Sequence, residues 1–397
     1  MTNKSIKVVN LSGDYILPSA VETRSRKPWV EYSLYENDDF FSTITKKYVT
    51  SQTNQSCVDG TVQLLYGLGL KSDLPIVETM LEELTEPEEI KRLVQDYKLY
   101  GALAIQCVFS SDRNKIIGFY HLPVDTLRSE KCDDEGNING YYYSPDWTNK
   151  KITPTYIPAL GQSEYENDVQ VLYVKRYTPG MYYYSIPDWY SCIQYCSVEE
   201  EISNLHISNI RNGFLAGAMI NFNGGTPPPE EQELLESAIA AKFSGTSNAG
   251  RFILSFNESK EDATTIDMMK VENLHDNYSF LSEEASRKIM LSHRVTSQLL
   301  FGIKTASGFS SNADELKTSY DIFNKMVIKP MQNEILKAFK TVLETNGIVD
   351  PQLYFDQLVP YEVEADMIDA VGEQKADDII NENEETIDNE DNTILQP

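Results

Sequence analysis

The spacing of apolar residues divides the chain into a strand-rich part and a helix-rich part, with the change near residue 187. In the first part, residues 86–99 (EPEEIKRLVQDYKL) read as a helix opened by acidic residues. GALAIQCVFS (101–110) and KIIGFYHL (115–122) follow as strands, with SSDRN as the turn between them. KCDDEGNINGYYYSPDW (131–147) adds a turn and a strand, and VQVLYVKRYTP (169–179) and MYYYSIPDW (181–189) read as further strands. The 24 tyrosines favour such positions, which predicts half-buried sheet residues with wet hydroxyls rather than a sugar-binding platform.

From residue 187 the period lengthens. Pro187 and Asp188 are helix-start signals and Asn212–Gly213 a stop. Apolar residues recur at Trp189, Cys192, Ile193, Cys196, Ile202, Leu205 and Ile210, so one long helix is expected. A β-α-β-β unit comes next: AGAMINF as strand, GGTPPP as turn, EEQELLESAIAAKFSG as helix, then RFILSF and ATTIDMMKV as strands. Its three prolines stiffen the entry to the helix. GTSNAG lacks the glycine spacing and the lysine of a phosphate-cradling loop.

A second helix is expected over about Tyr278 to Arg294, followed by the supple stretch GIKTASGFSSN (302–312). Ser311 or Asn312 then caps a long helix, with Asp314 and Glu315 placed to complete a capping box. That helix carries one apolar stripe at Leu316, Tyr320, Phe323 and Val327, and another at Ile328, Met331, Ile335, Phe339 and Val342. The stripes are offset by one residue where they meet. Pro330 sits at that junction, where it removes a backbone donor and crowds the carbonyl of Met326, so the helix should kink there. Gly347 and Pro351 mark its end.

Charge changes this picture most. The chain has 61 acidic and 34 basic side chains, a net charge of −27, which argues against a broad basic face that grips nucleic acid phosphates. Residues 361–397 hold 13 Asp or Glu and one Lys, a composition that predicts an acidic tail with a short helix near ADMIDAVGE and a disordered end. The five cysteines form no CxxC pair, so neither a disulfide framework nor a zinc site is indicated, and no cofactor is expected. Cys192 and Cys196, one helical turn apart, have no matching His or Cys pair and are read as core. With neither a leader pattern nor a run of about 18 apolar residues, the expectation is a soluble chain without membrane contact.

The order of parts resembles the portal proteins of tailed bacteriophages. The likeness is carried by IPDWYSCIQYCSVEEEISNLHISNIRNGFLAGAMINF, AKFSGTSNAGRFILSF, LSEEASRKIMLSHRVTSQLLFGI and NADELKTSYDIFNKMVIKPMQNEI, which look like stem, clip, stem, tunnel loop and tunnel helix in turn. Thr296 stands where that family often has proline.

The resemblance implies an α+β portal fold: a β-rich wing (1–186), stem helices (187–215 and 273–296) around a small α/β clip (216–272), a tunnel loop region (297–312), a kinked tunnel helix (313–346), then crown and acidic tail (347–397). It also implies a non-enzymatic, homo-oligomeric ring of twelve at one capsid vertex, assembled in the host cytoplasm and resident in the virion. Double-stranded DNA passes through such a ring during packaging and ejection. Its partners are the terminase large subunit, the major capsid protein or scaffold, and head-tail connector or adaptor proteins.

Gly302, Ile303, Lys304, Thr305, Ala306, Ser307, Gly308 and Phe309 would form the DNA-channel loop. Pro227, Pro228, Pro229, Glu230, Glu231 and Glu233 would meet terminase and connector. An acidic bore suits a conduit, because tight phosphate contacts would trap the cargo. Two rivals remain. One is a hydrolase built on Ser292, His293 and Asp314, which lacks a nucleophile elbow; the other is an acidic, Tyr-rich carbohydrate-binding or surface module.

Overall fold

The computed structural model describes residues 20–359 except 25, 36–37, 163–167, 212–217, 223–227, 229, 231–233, 235–251, 257–273 and 302–311. It mixes helices and strands. Two antiparallel three-stranded sheets follow a helical start. Helices α1 (Phe40–Thr50) and α2 (Gln52–Tyr66) are separated by Ser51, whose hydroxyl accepts the backbone N–H of Asn54 at 3.3 Å and caps α2.

Helices α3 (Pro75–Leu84) and α4 (Pro87–Tyr100) each carry proline in the first turn, where its missing donor costs nothing. Helix α4 buries Ile90, Leu93, Val94 and Tyr97 and stops at Gly101, whose φ of 77° suits glycine.

Short strands β1 (Val21–Thr23) and β2 (Glu31–Ser33) pair with each other, and β3 (Gly69–Ser72) follows α2. Strand β4 (Ala102–Phe109) is the centre of one three-stranded sheet, between β5 (Ile116–His121) and β9 (Val169–Lys175). Its register sets Ile105 opposite both His121 and Leu172. Strands β6 (Leu127–Ser129), β7 (Gly140–Tyr143) and β8 (Thr155–Pro158) form the other.

Residues 181–189 are irregular rather than the expected strand. Tyr183 and Tyr184 are instead driven into the core, and Tyr32 stacks on Tyr184 at 4.6 Å. Their hydroxyls are not all wet: Tyr32 donates to the carbonyl of Ser185 at 2.9 Å, and Tyr184 donates to that of Val30. An unpaired buried hydroxyl is costly, so these phenols find backbone acceptors and the segment gives up ladder geometry.

Beyond the sheets, α5 (Ile193–Arg211) is entered through a 3-10 turn at Tyr190–Cys192, later than Pro187 and Asp188 suggest. Strands β10 (Ala218–Phe222) and β11 (Phe252–Phe256) pair in parallel, which requires a crossover between them, and Glu230 and Leu234 within it are helical. Helix α6 (Leu274–Ser292) returns alongside α5.

Helices α7 (Asn312–Phe323) and α8 (Lys329–Thr345) are joined by a π-helical turn, Asn324–Ile328. Lys329 N–H donates to the carbonyl of Asn324, five residues back, and Pro330 follows without a donor. A widened turn removes the crowding that a proline ring imposes on an α-helix. Helix α8 buries Met331, Ile335, Ala338, Phe339, Val342 and Leu343. Strand β12 (Leu353–Asp356) then pairs with β3, returning the chain to the end of α2.

Candidate functional site

Helices α5 and α6 pack together as a two-helix stalk, and a connected polar cluster lies at its root. Asp188, just ahead of α5, receives Lys98 of α4 at 2.9 and 3.0 Å. Both side chains are almost wholly excluded from solvent. Arg294, just after α6, approaches the same carboxylate at 3.5 Å from a half-exposed position. Arg294 has a φ of 60°, a left-handed conformation that turns the chain sharply off the end of α6. One buried carboxylate thus ties the start of one stalk helix and the end of the other to α4. Beside it the Trp189 indole donates to the carbonyl of Lys98 at 3.3 Å.

His293 lies at the centre of this root with no exposure. Its ring stacks on Trp189 at 6.0 Å and 9°, and Nε2 meets Asn54 Oδ1 at 2.8 Å. Asn54 Nδ2 donates to the carbonyl of Lys47, which leaves Oδ1 as the acceptor of an Nε2–H. Nδ1 has no partner. Burial, then the charges of Lys98 and Arg294, push the imidazole well below its ordinary pKa, so it is neutral.

Ser292 does not bond to His293. Its hydroxyl donates to the carbonyl of Trp189 at 3.1 Å and contacts Ser191 Oγ at 2.6 Å. Asp314, in the first turn of α7, is exposed. Among the described residues no group of three or more His, Cys, Asp or Glu is arranged to hold a metal.

Further along the stalk, the acidic run at 199–201 supplies two anchors that its composition does not announce. The Glu199 carboxylate accepts from Ser51 Oγ at 2.6 Å, from Thr53 Oγ1 and from Ser286 Oγ of α6 at 3.2 Å. Glu200 receives Lys47 at 2.8 Å, and that hydrogen bond holds its carboxyl below the usual range. Cys192 and Cys196 are buried in the same core, as their spacing on one helical face suggests.

The neutral His293 gives a pH test. The unfolded imidazole takes up a proton below about pH 6.5, whereas the folded one refuses it. Stability should therefore fall as pH drops through that value, because the unfolded chain binds more protons. Between pH 7.5 and 5.5 the wild type should lose about 1.4 kcal/mol more than His293→Gln, read from urea unfolding at both pH values. Parallel losses would place the acid sensitivity elsewhere.

Of the other residues singled out in the sequence, Pro228 and Glu230 are exposed, Glu230 at a helical position. Pro227, Pro229, Glu231, Glu233 and the stretch 302–309 lie outside the described residues, as does the acidic tail. Pro330 lies in the first turn of α8, directly after the π-helical turn. Of the expected capping box, Ser311 and the side chain of Asn312 lie outside the described residues. Glu315 accepts the Ser297 hydroxyl at 2.9 Å. The root itself had only partial signals: Trp189 and the cysteines by periodicity, but not Asn54, Lys98 or Glu199.

No protein-family model matches the sequence, and a comparison with curated proteins gives no match. Among solved structures, a chain from the virion of a native gene transfer agent particle aligns with 86% of this chain and 89% of its own, at 15% identity and a TM-score of 0.54. A chain from the neck of that native particle, computed with C12 symmetry, aligns over 79% and 82% at 15% identity and a TM-score of 0.52. An HK97-family phage portal protein from Corynebacterium diphtheriae aligns over 69% and 83%, at 12% identity and a TM-score of 0.40. By its architecture this chain therefore has the fold of the chains in the neck and virion of the gene transfer agent particle.

Proposed function

We propose that the chain is a portal protein, the subunit of a ring at one capsid vertex through which double-stranded DNA is packaged and ejected. The observation that carries this reading is the fold shared with a neck chain of C12-symmetric arrangement, with a two-helix stalk fixed to the body at its root. The stalk and α7 also expose large apolar side chains, Ile207, Phe280, Leu281, Leu291 and Ile322, which a lone chain leaves in water and neighbours in a ring would cover. The net charge of −27 keeps a bore from trapping phosphates. In this reading Pro228 and Glu230, both exposed, belong to the face that meets terminase and connector, and residues 302–309 reach into the bore.

Light scattering and negative-stain imaging of the purified protein test the reading. Hollow rings of several hundred kilodaltons are expected; a 45.1-kDa monomer at micromolar concentration across salt conditions would overturn it. Deleting Lys304–Phe309 should leave rings intact and raise the fraction of empty or partly filled heads. Normal packaging by that variant would make the loop a passive connection.

A further inference from the structure

A cleft of about 270 Å³ opens between β3 and the corner where α3 meets α4. Leu70, Leu81 and Ile90 give it an apolar floor, and Leu68 stands 61% exposed at its side. Three features point to an absent occupant. Thr85 lines the cleft, is only 7% exposed, and its hydroxyl has no hydrogen-bond partner among the described residues. Such a group is ordinarily satisfied.

Strand β3 pairs only with β12 among the described residues, so its second edge presents unpaired backbone groups. Finally, the exposed carboxylates Glu82 and Glu86 line the cleft with no ion-pair partner among the described residues, whereas Glu78 is engaged by Lys71 at 3.0 Å. An extended segment with apolar and basic side chains would answer all three.

We propose that residues 4–11 of this chain, KSIKVVNL, dock in this cleft as a strand along the free edge of β3. They carry Lys4 and Lys7 beside Ile6, Val8, Val9 and Leu11, and residues 1–19 include one acid, Asp14. The other long stretch outside the described residues, 361–397, has 13 acids and one Lys and is repelled by the same carboxylates. Reach is sufficient. The backbone of Ala20 meets the Tyr190 hydroxyl, next to Trp189, whose indole bonds the carbonyl of Lys98 near the end of α4. The cleft takes in Glu86, Pro87 and Ile90 at the start of that helix, roughly 20 Å away at 1.5 Å per residue. Residues 12–19 link the docked segment to Ala20, and extended they span roughly 26–30 Å.

The test uses the full-length protein with a benzophenone amino acid in place of Leu68. After irradiation, the cross-linked peptide identified by mass spectrometry should come from residues 1–19. Lys4→Glu with Lys7→Glu should cut the yield about five-fold, as should Glu82→Lys with Glu86→Lys. Combining the two reversals should restore it. A cross-link at single-chain mobility places the segment on its own body and one at double mobility on a neighbour, and both uphold the proposal. Cross-links to any other segment, their absence, or yields indifferent to the reversals would overturn it. The single-chain outcome needs neither ring formation nor DNA passage.

Discussion

Asp188→Ala should cost about 3–5 kcal/mol of stability, because it leaves Lys98 as an uncompensated cation in the interior. The Lys98 side chain has no exposure, so neither water nor a moved rotamer can replace the lost carboxylate. Arg294 is half-exposed and can turn to solvent, so its share of the loss is small. The variant should also loosen the stalk, since the same carboxylate fixes the start of α5 and the end of α6. Denaturant unfolding measures the first effect, and hydrogen exchange over 193–211 and 274–292 measures the second. Lys98→Met combined with Asp188→Leu should recover most of the loss, as apolar replacements of buried pairs do. A loss below about 1 kcal/mol for the single variant would mean that water reaches the pair.

Gly67→Ala should cost about 2–5 kcal/mol by strain and overpacking together. Gly67 has φ 59° and ψ −128°, and an added β-carbon would stand 1.9 Å from the carbonyl oxygen of Asp356. That oxygen accepts the N–H of Leu68 at 2.9 Å, so relief must come from moving β12 away from β3. Amide exchange at Leu353–Asp356 should then quicken more than exchange in α4. Equal protection of both would show that the turn adapts without opening the pair.

What the sequence made legible follows from what periodicity carries. Helix α4, strands β4 and β5 and the stripes of α7 and α8 each have a local pattern, and Pro330 has a local steric consequence. Helices α1 and α2 escaped because α2 buries Asn54 and Thr61 among its apolar residues, which blurs the moment of the pattern. Tyr183 and Tyr184 read as strand because aromatic runs favour strands, yet core stacking and backbone acceptors decided their place.

The stalk root was legible only in part. Pairings such as Asn54 with His293 or Ser51 with Glu199 join residues 239 and 148 apart, and no local pattern encodes a partner. Buried charge works the same way: nothing in EPEEIKRLVQDYKL distinguishes Lys98, which is buried, from an ordinary solvated lysine.

The long reach of the root also sets an order of events while the chain is being made. Asn54 leaves the ribosome 239 residues ahead of His293, which at about 5–20 residues per second is a wait of roughly 12–48 s. During that interval β4 can pair with β5 and β9 beside α4, because those strands lie within the N-terminal half, whereas Tyr97 and Ile116 wait longer still for Glu334 and Asn346. Lys98 gains Asp188 after 90 further residues, but the bay around Asn54 stays open until α6 has been synthesised. A nascent chain halted before residue 293 should therefore hold folded sheets beside an unsealed pocket at the head of α2, which is a site for chaperone engagement.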